Sequence, residues 1–289
     1  MVKQIEIVNY SELWRDLVKL GSERRKHKTQ SGSSDQWHGK AKEFDQRVND
    51  RWQQNDSSRD FMIRTLNEFP NATVVDIGAG SGAWVNLFSP LANRVTAIDS
   101  SKSMLEQLKI RIQAEKLEQV NIIEGCWPEV EIEPHDICFC SHAMYGAEDF
   151  ISFISAIRAV TRKRIILLIR APQEDGLMSQ AFNMVWGHPY DSPNYQIAIN
   201  ILWQMGIFPN VIMEEDHLWK PWAHRTIEEA LEEMKSRLGL FEAGEWDKKL
   251  WDLLENNLTR QNGEYIWPTA MRTALLYWDP NDNDISKDN

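Results

Sequence analysis

Cysteine is scarce in this chain: three residues among 289, an odd number too small for a disulfide framework and suited to a reducing compartment. Long apolar runs are missing too. The best candidate, Ile165 to Ile169, is short and bracketed by Arg164 and Arg170, far below the ~18 residues a membrane span needs. Residues Met1 to Leu20 lack the uninterrupted apolar centre of a secretory signal, since Lys3, Glu6, Glu12, Arg15, Asp16 and Lys19 break it up, so a cytoplasmic location is expected. Positive charge is in deficit, 32 Lys and Arg against 43 Asp and Glu, for a net charge of -11. That balance repels polyanions and predicts neither nucleic acid nor an anionic membrane surface as a partner. The basic run Arg24 to Lys28 reads as a solvated helix end or linker. Oligomeric state is not legible.

Metal ligands in a usable pattern are also absent. Cys138 and Cys140 alternate, which puts both on one face of a strand as small buried apolar side chains. Consecutive residues of Glu214-Glu215-Asp216-His217 point to opposite faces of an extended chain, so no metal site is expected there. What is present is an ordinary globular composition, 42% hydrophobic and 26% charged, with 13 tryptophans.

Apolar residues at helical spacing predict a first helix from about Ser11 to Leu20, and the polar stretch Thr29 to Asp35 reads as a linker. A second helical stripe runs through Trp37, Ala41, Phe44 and Val48. From Thr73 the pattern changes to short β-branched runs at 73–77, 94–98, 120–123, 136–140 and 164–169, separated by helical stretches such as Lys102 to Leu117 behind an N-cap at Ser100 or Ser101. This alternation predicts an α/β fold with a doubly wound, mostly parallel sheet. Past Pro172 come a polar loop, a helix from Asn194 to Met205, a strand at 210–213, helices from Thr226 to Leu258 and a last strand in 269–278. The expected organisation is an N-terminal helix and linker at 1–35, one domain at 36–279 with a helical cap at about 173–262, and a disordered tail at 280–289.

The most informative run is Val74-Val75-Asp76-Ile77-Gly78-Ala79-Gly80-Ser81-Gly82. A hydrophobic strand meets glycines at every second position, where the backbone turns sharply or a ligand approaches it closely, and helix-forming residues follow from Ala83 to Leu91. The spacing is not that of a dinucleotide loop, and a carboxylate lies inside the strand end. Asp76 would repel a pyrophosphate and attract the ammonium and sulfonium of S-adenosylmethionine. Asp99 closes the second strand, where an acid accepts hydrogen bonds from both hydroxyls of a ribose.

On these residues the sequence resembles the class I, Rossmann-like S-adenosylmethionine-dependent methyltransferases, in particular their small-molecule branch, over about Trp37 to Pro172. The resemblance implies a seven-stranded sheet, S-adenosylmethionine as cofactor and methyl transfer as the reaction. It assigns cofactor contacts to Asp76, Gly78, Ala79, Gly80 and Gly82 of the loop, to Asp99, Ser100 and Met104 after the second strand, to Cys126 and Trp127 after the third, and to Ser141 and His142 after the fourth. Trp37, Ala41 and Phe44 resemble the family's W-x-x-x-A-x-x-[FY] helix, which closes over the cofactor. Where many relatives carry Asp after the glycine of the third-strand segment, this chain has Cys126, leaving adenine to backbone groups and apolar contact, with Trp127 as a stacking candidate.

Methyl transfer is an in-line displacement, so the protein chiefly aligns the acceptor, and a base is needed only by a nucleophile that must lose a proton. His142 is the general-base candidate by position, with Tyr145 second. Tyr145, Arg170, Trp186, His188 and Tyr190 are the candidates for an acceptor pocket, and the cap aromatics suit a planar acceptor or a cationic amine. The expected function is methylation of a small molecule, the alternative a non-catalytic S-adenosylmethionine-binding module acting through a partner. The atom methylated is not legible.

Overall fold

The computed structural model describes residues 8–28, 35, 37–173, 175–214, 221–268 and 271–280. The linker at 29–34, most of the run 214–217 beyond Glu214, and the tail beyond 280 lie outside them. In chain order the elements are α1 (Tyr10–Lys28), α2 (Ala41–Arg51), α3 (Ser57–Glu68), β1 (Thr73–Ile77), α4 (Ala83–Phe88), β2 (Arg94–Asp99), α5 (Lys102–Glu115), β3 (Val120–Glu124), β4 (His135–Ser141), α6 (Phe150–Ala159), β5 (Thr161–Pro172), α7 (Leu177–Trp186), α8 (Tyr195–Gln204), β6 (Asn210–Met213), β7 (Ala223–His224), α9 (Ile227–Leu238), α10 (Asp247–Asn257), β8 (Thr259–Gln261), β9 (Glu264–Ile266) and β10 (Met271–Trp278).

A seven-stranded sheet runs in the order β3-β2-β1-β4-β5-β10-β6. The first five are parallel, and β10 lies antiparallel between β5 and β6. Every strand expected from the sequence is present. Alternation along the central strands builds two cores. Val75, Ile77, Cys138, Cys140, Ile165 and Leu167 face α1, α6 and α8, whereas Val74, Ile137, Phe139, Ile166 and Leu168 face α3, α4 and α5. Both cysteines are thus the small buried residues their spacing suggests.

Side chains fix several helix starts. Asp56 caps α3, Asn194 caps α8, Thr226 caps α9, and Ser101 rather than Ser100 caps α5 by accepting from Met104 N. Helix α1 extends to Lys28, so the basic run belongs to a helix, and Trp14, Leu17 and Val18 bury it against α6 and α8.

The region expected as a largely helical cap divides in two. Helix α8, predicted inside it, covers the sheet through Ile197, Ala198, Ile201 and Leu202. The cap itself packs α7, α9 and α10 around Phe182, Met234, Leu250 and Trp267, with a small antiparallel sheet of order β7-β9-β8. It leaves the large sheet after β5 and after β6 and returns at the start of β10. Because β10 and β6 pair antiparallel to each other and β10 antiparallel to β5, all three points lie at the carboxyl edge of the parallel strands.

Candidate active site

That carboxyl edge gathers the carboxylates singled out in the sequence. Asp76 lies in β1, 1% exposed, and neither of its carboxylate oxygens has a hydrogen-bond partner. Burial, with Asp99 nearby, pushes its carboxyl up to about 8. Asp99 ends β2 and accepts from Gly80 N and from Ser101 N, each at 2.8 Å, so it ties the glycine loop to the start of α5. Burial raises its carboxyl as well, against the pull of these N–H donors.

The glycines divide their work. A Cβ on Gly78 would stand 2.1 Å from Ala143 Cβ, and one on Gly82 2.2 Å from a Leu108 methyl, so the protein's own packing demands both. Gly80 faces open space and is where a ligand can approach the backbone.

An N-terminal arm crosses this edge. Asp35 accepts from Ser101 Oγ at 2.8 Å, Ser103 N at 3.1 Å and Trp37 N at 2.9 Å. Burial raises its carboxyl, but these donors outweigh it and hold it at about 2. Trp37 lies in the turn before α2, not in the helix, and packs on Phe44 at 4.7 Å. Arg111 of α5 donates to Asp45 and Asn49 of α2 and to the Ser81 carbonyl of the glycine loop. At the end of α2, Arg51 donates to Asp56 at 3.1 Å and to Glu214, just past β6, at 2.8 Å, and Ser58 Oγ donates to the other Glu214 oxygen. All three charged groups of this cluster are buried.

His142 follows β4 in the left-handed region at φ 54, held by its N–H to the Leu168 carbonyl at 2.9 Å. The Tyr145 hydroxyl accepts from Arg170 N at 2.7 Å and shares a hydrogen bond with His142 Nδ1 at 2.8 Å. Nε2 lies 3.3 Å from Thr273 Oγ1. Burial, followed by Arg51 and Arg170, pulls the imidazole down to about 3. His142 is therefore neutral, engaged at both nitrogens and poorly suited to the general-base role expected of it. Burial likewise pushes the Tyr145 phenol up.

Other candidates scatter. Cys126 is exposed beside β3, Ser141 ends β4, and Met104 is buried in the first turn of α5. Trp127 is turned into the core, 8% exposed with Nε1 toward the Phe153 carbonyl at 3.4 Å, so its indole is committed to packing rather than adenine stacking. Trp186 is 49% exposed at the end of α7 and bonds the Leu238 carbonyl, so it belongs to the cap surface. His188 and Tyr190 stack at 6.1 Å, and Arg170 reaches Asp191 and Ser192, each at 2.7 Å. Sequence reasoning missed Asp35, Arg51, Arg111 and Thr273, all of which act through contacts between distant segments. Among the described residues no group of three His, Cys, Asp or Glu side chains stands ready for a metal, and no helix is long and apolar enough to cross a membrane.

Residues 74–164 match the family model described as a methyltransferase domain. An uncharacterized methyltransferase, YcgJ, of Bacillus subtilis (strain 168) is 25% identical over 126 residues, 42% of this chain and half the length of that relative. The crystal structure of a putative methyltransferase from Bacillus halodurans C-125 shares the fold at a TM-score of 0.50 and 15% identity, over 75% of this chain and 98% of the other. The matched segment carries the glycine loop, Asp76, Asp99 and His142, and its partnerless buried carboxylate fits a ligand bearing positive charge. Residues 74–164 are thus similar to methyltransferase domains, within a fold shared with a putative methyltransferase.

Proposed function

We propose that the protein transfers a methyl group from S-adenosylmethionine to a small-molecule acceptor held under the cap. The observation that carries this reading is the buried Asp76 carboxylate without a hydrogen-bond partner, beside Asp99 and the open face of Gly80. A buried carboxylate is costly unless a cation or donors meet it, and the ammonium and sulfonium of the cofactor supply such charge. Asp99 is the residue to hold the ribose, the loop backbone at Gly80 lines the approach, and Ser141 and His142 border the methionine half. When bound, the cofactor supplies an electrophilic sulfonium methyl, which an acceptor lone pair displaces in line as the carbon–sulfur pair returns to sulfur. His142, neutral and clamped between Tyr145 and Thr273, orients rather than takes up a proton. This favours an acceptor whose nucleophile is available at neutral pH without a protein base. Arg170, His188 and Tyr190 stand on the acceptor side, and the acidic balance supports a small acceptor rather than nucleic acid.

S-adenosylhomocysteine at ~100 times its dissociation constant should add ~2.7 kcal/mol to stability. Asp99→Ala should lose most of that gain in calorimetry and thermal melts. Equal affinity in the variant and the parent would refute the ribose assignment, and failure of every acceptor tried to release S-adenosylhomocysteine from the methyl donor would leave only the binding-module alternative.

The arm through Asp35 and α2 is proposed to close over the bound cofactor. Hydrogen exchange in residues 41–51 should slow on adding S-adenosylhomocysteine. If exchange there is the same with saturating ligand, the arm is ordinary packing.

A further inference from the structure

The cap interior holds an arrangement that cap packing leaves unexplained. Trp222, just before β7, lies 5.3 Å from Trp267, just after β9, and His224 lies 5.9 Å from Trp267. Trp267 is 4% exposed, yet its Nε1 has no hydrogen-bond partner, and neither has the buried Nε2 of His224. Native interiors rarely leave such groups unpaired, and an indole N–H can only donate. Over the Trp222 ring the Arg237 guanidinium stacks at 3.6 Å, engaged by Glu233 through Nε. Arg237 in turn feels the charges of Arg170 and Asp191, and the Arg170 backbone N–H donates to the Tyr145 hydroxyl, which lies against His142. The Nε of Arg170 is another buried donor without a partner.

A buried indole N–H without a partner, close to the Arg237 guanidinium, calls for oxygen lone pairs, and an anionic oxygen satisfies it best. A cationic amine is disfavoured, because Arg237 already supplies the cation on the Trp222 ring. We propose that Trp267, His224 and Arg237 form a subsite for the carboxylate of the methyl acceptor, with Trp222 as its aromatic wall. This rests on the methyl-transfer reading for the identity of its occupant, while the subsite itself is a binding claim that does not require turnover.

The test titrates acetate, benzoate and indole-3-acetate, with benzamide and indole-3-acetamide as uncharged controls, into the full chain by calorimetry, with and without saturating S-adenosylhomocysteine. At least one carboxylate should bind, with its amide tenfold or more weaker. Trp267→Phe and His224→Phe keep a ring in place and remove the nitrogen. Each should weaken the carboxylate about tenfold or more while leaving S-adenosylhomocysteine affinity unchanged. The proposal is overturned if none of the three carboxylates binds, if the amides bind equally well, or if both variants, folded by circular dichroism, bind carboxylate like the parent. Failure of S-adenosylhomocysteine to bind would count against the methyl-transfer reading alone, since the carboxylates are also titrated in its absence.

Discussion

Asp76→Asn should weaken S-adenosylmethionine binding by about 10- to 100-fold and at the same time make the ligand-free protein more stable at alkaline pH. Both effects come from one buried carboxyl. In the folded chain burial, with Asp99 nearby, pushes it up to about 8, whereas in the unfolded chain it ionises near 3.8. Between these values the folded state holds a proton that the unfolded state has released, so the Asp76 contribution to stability is fully present below about 4 and is lost as pH rises through about 8. The Asn variant has no such titration. Thermal melts from pH 4 to 9 should therefore show the variant gaining on the parent steadily across that window and levelling off above it. Cofactor binding favours the ionised carboxylate, so the parent should release a proton on binding at pH 7, visible as a dependence of calorimetric heat on buffer ionisation. Parallel melting profiles, or undiminished affinity in the variant, would remove Asp76 from the site.

The second large effect is structural. Arg51→Met should cost about 3–5 kcal/mol in urea denaturation at pH 7, because it strands Asp56 and Glu214 together in the interior without their counter-charge. Glu214 is the member that can yield. Burial raises its carboxyl against the pull of Arg51, so part of the loss should be regained on acidification, as Glu214 takes up a proton. Adding Glu214→Gln to the Arg51 variant should restore part of the stability at neutral pH. A single variant within 1 kcal/mol of the parent would mean the cluster is wetter than its burial implies. Since Arg51 also depresses His142, the same substitution should let the imidazole titrate closer to its ordinary value.

The sheet was legible because its signals are local: β-branched runs, the Gly78-Ala79-Gly80-Ser81-Gly82 turn and an acid closing β2 each act within a few residues. The carboxylates of the candidate site followed from the same runs. The rest depends on partners far away in sequence. Asp35 meets Ser101 and Ser103 across the whole glycine-loop unit, and nothing in the polar run around Asp35 distinguishes it from its neighbours. Strand β8, Thr259 to Gln261, is wholly exposed and polar, so no alternation announces it. Trp127 and Trp186 carry the same side chain with opposite fates, one turned under α6 and the other capping the end of α9 from outside, which residue type alone does not decide. His142 was placed correctly at the end of β4, but its role turns on Thr273, supplied by the last strand.

That last strand has a consequence for synthesis. Because β10 lies between β5 and β6, β6 has no neighbour in the sheet until Met271 to Trp278 leave the ribosome. At ordinary elongation speeds the wait after Met213 is about 3–12 s. Throughout it the open flank of β5 and the apolar Val211, Ile212 and Met213 are exposed to other nascent chains. Chaperone demand during translation should accordingly be concentrated in the stretch that encodes the cap.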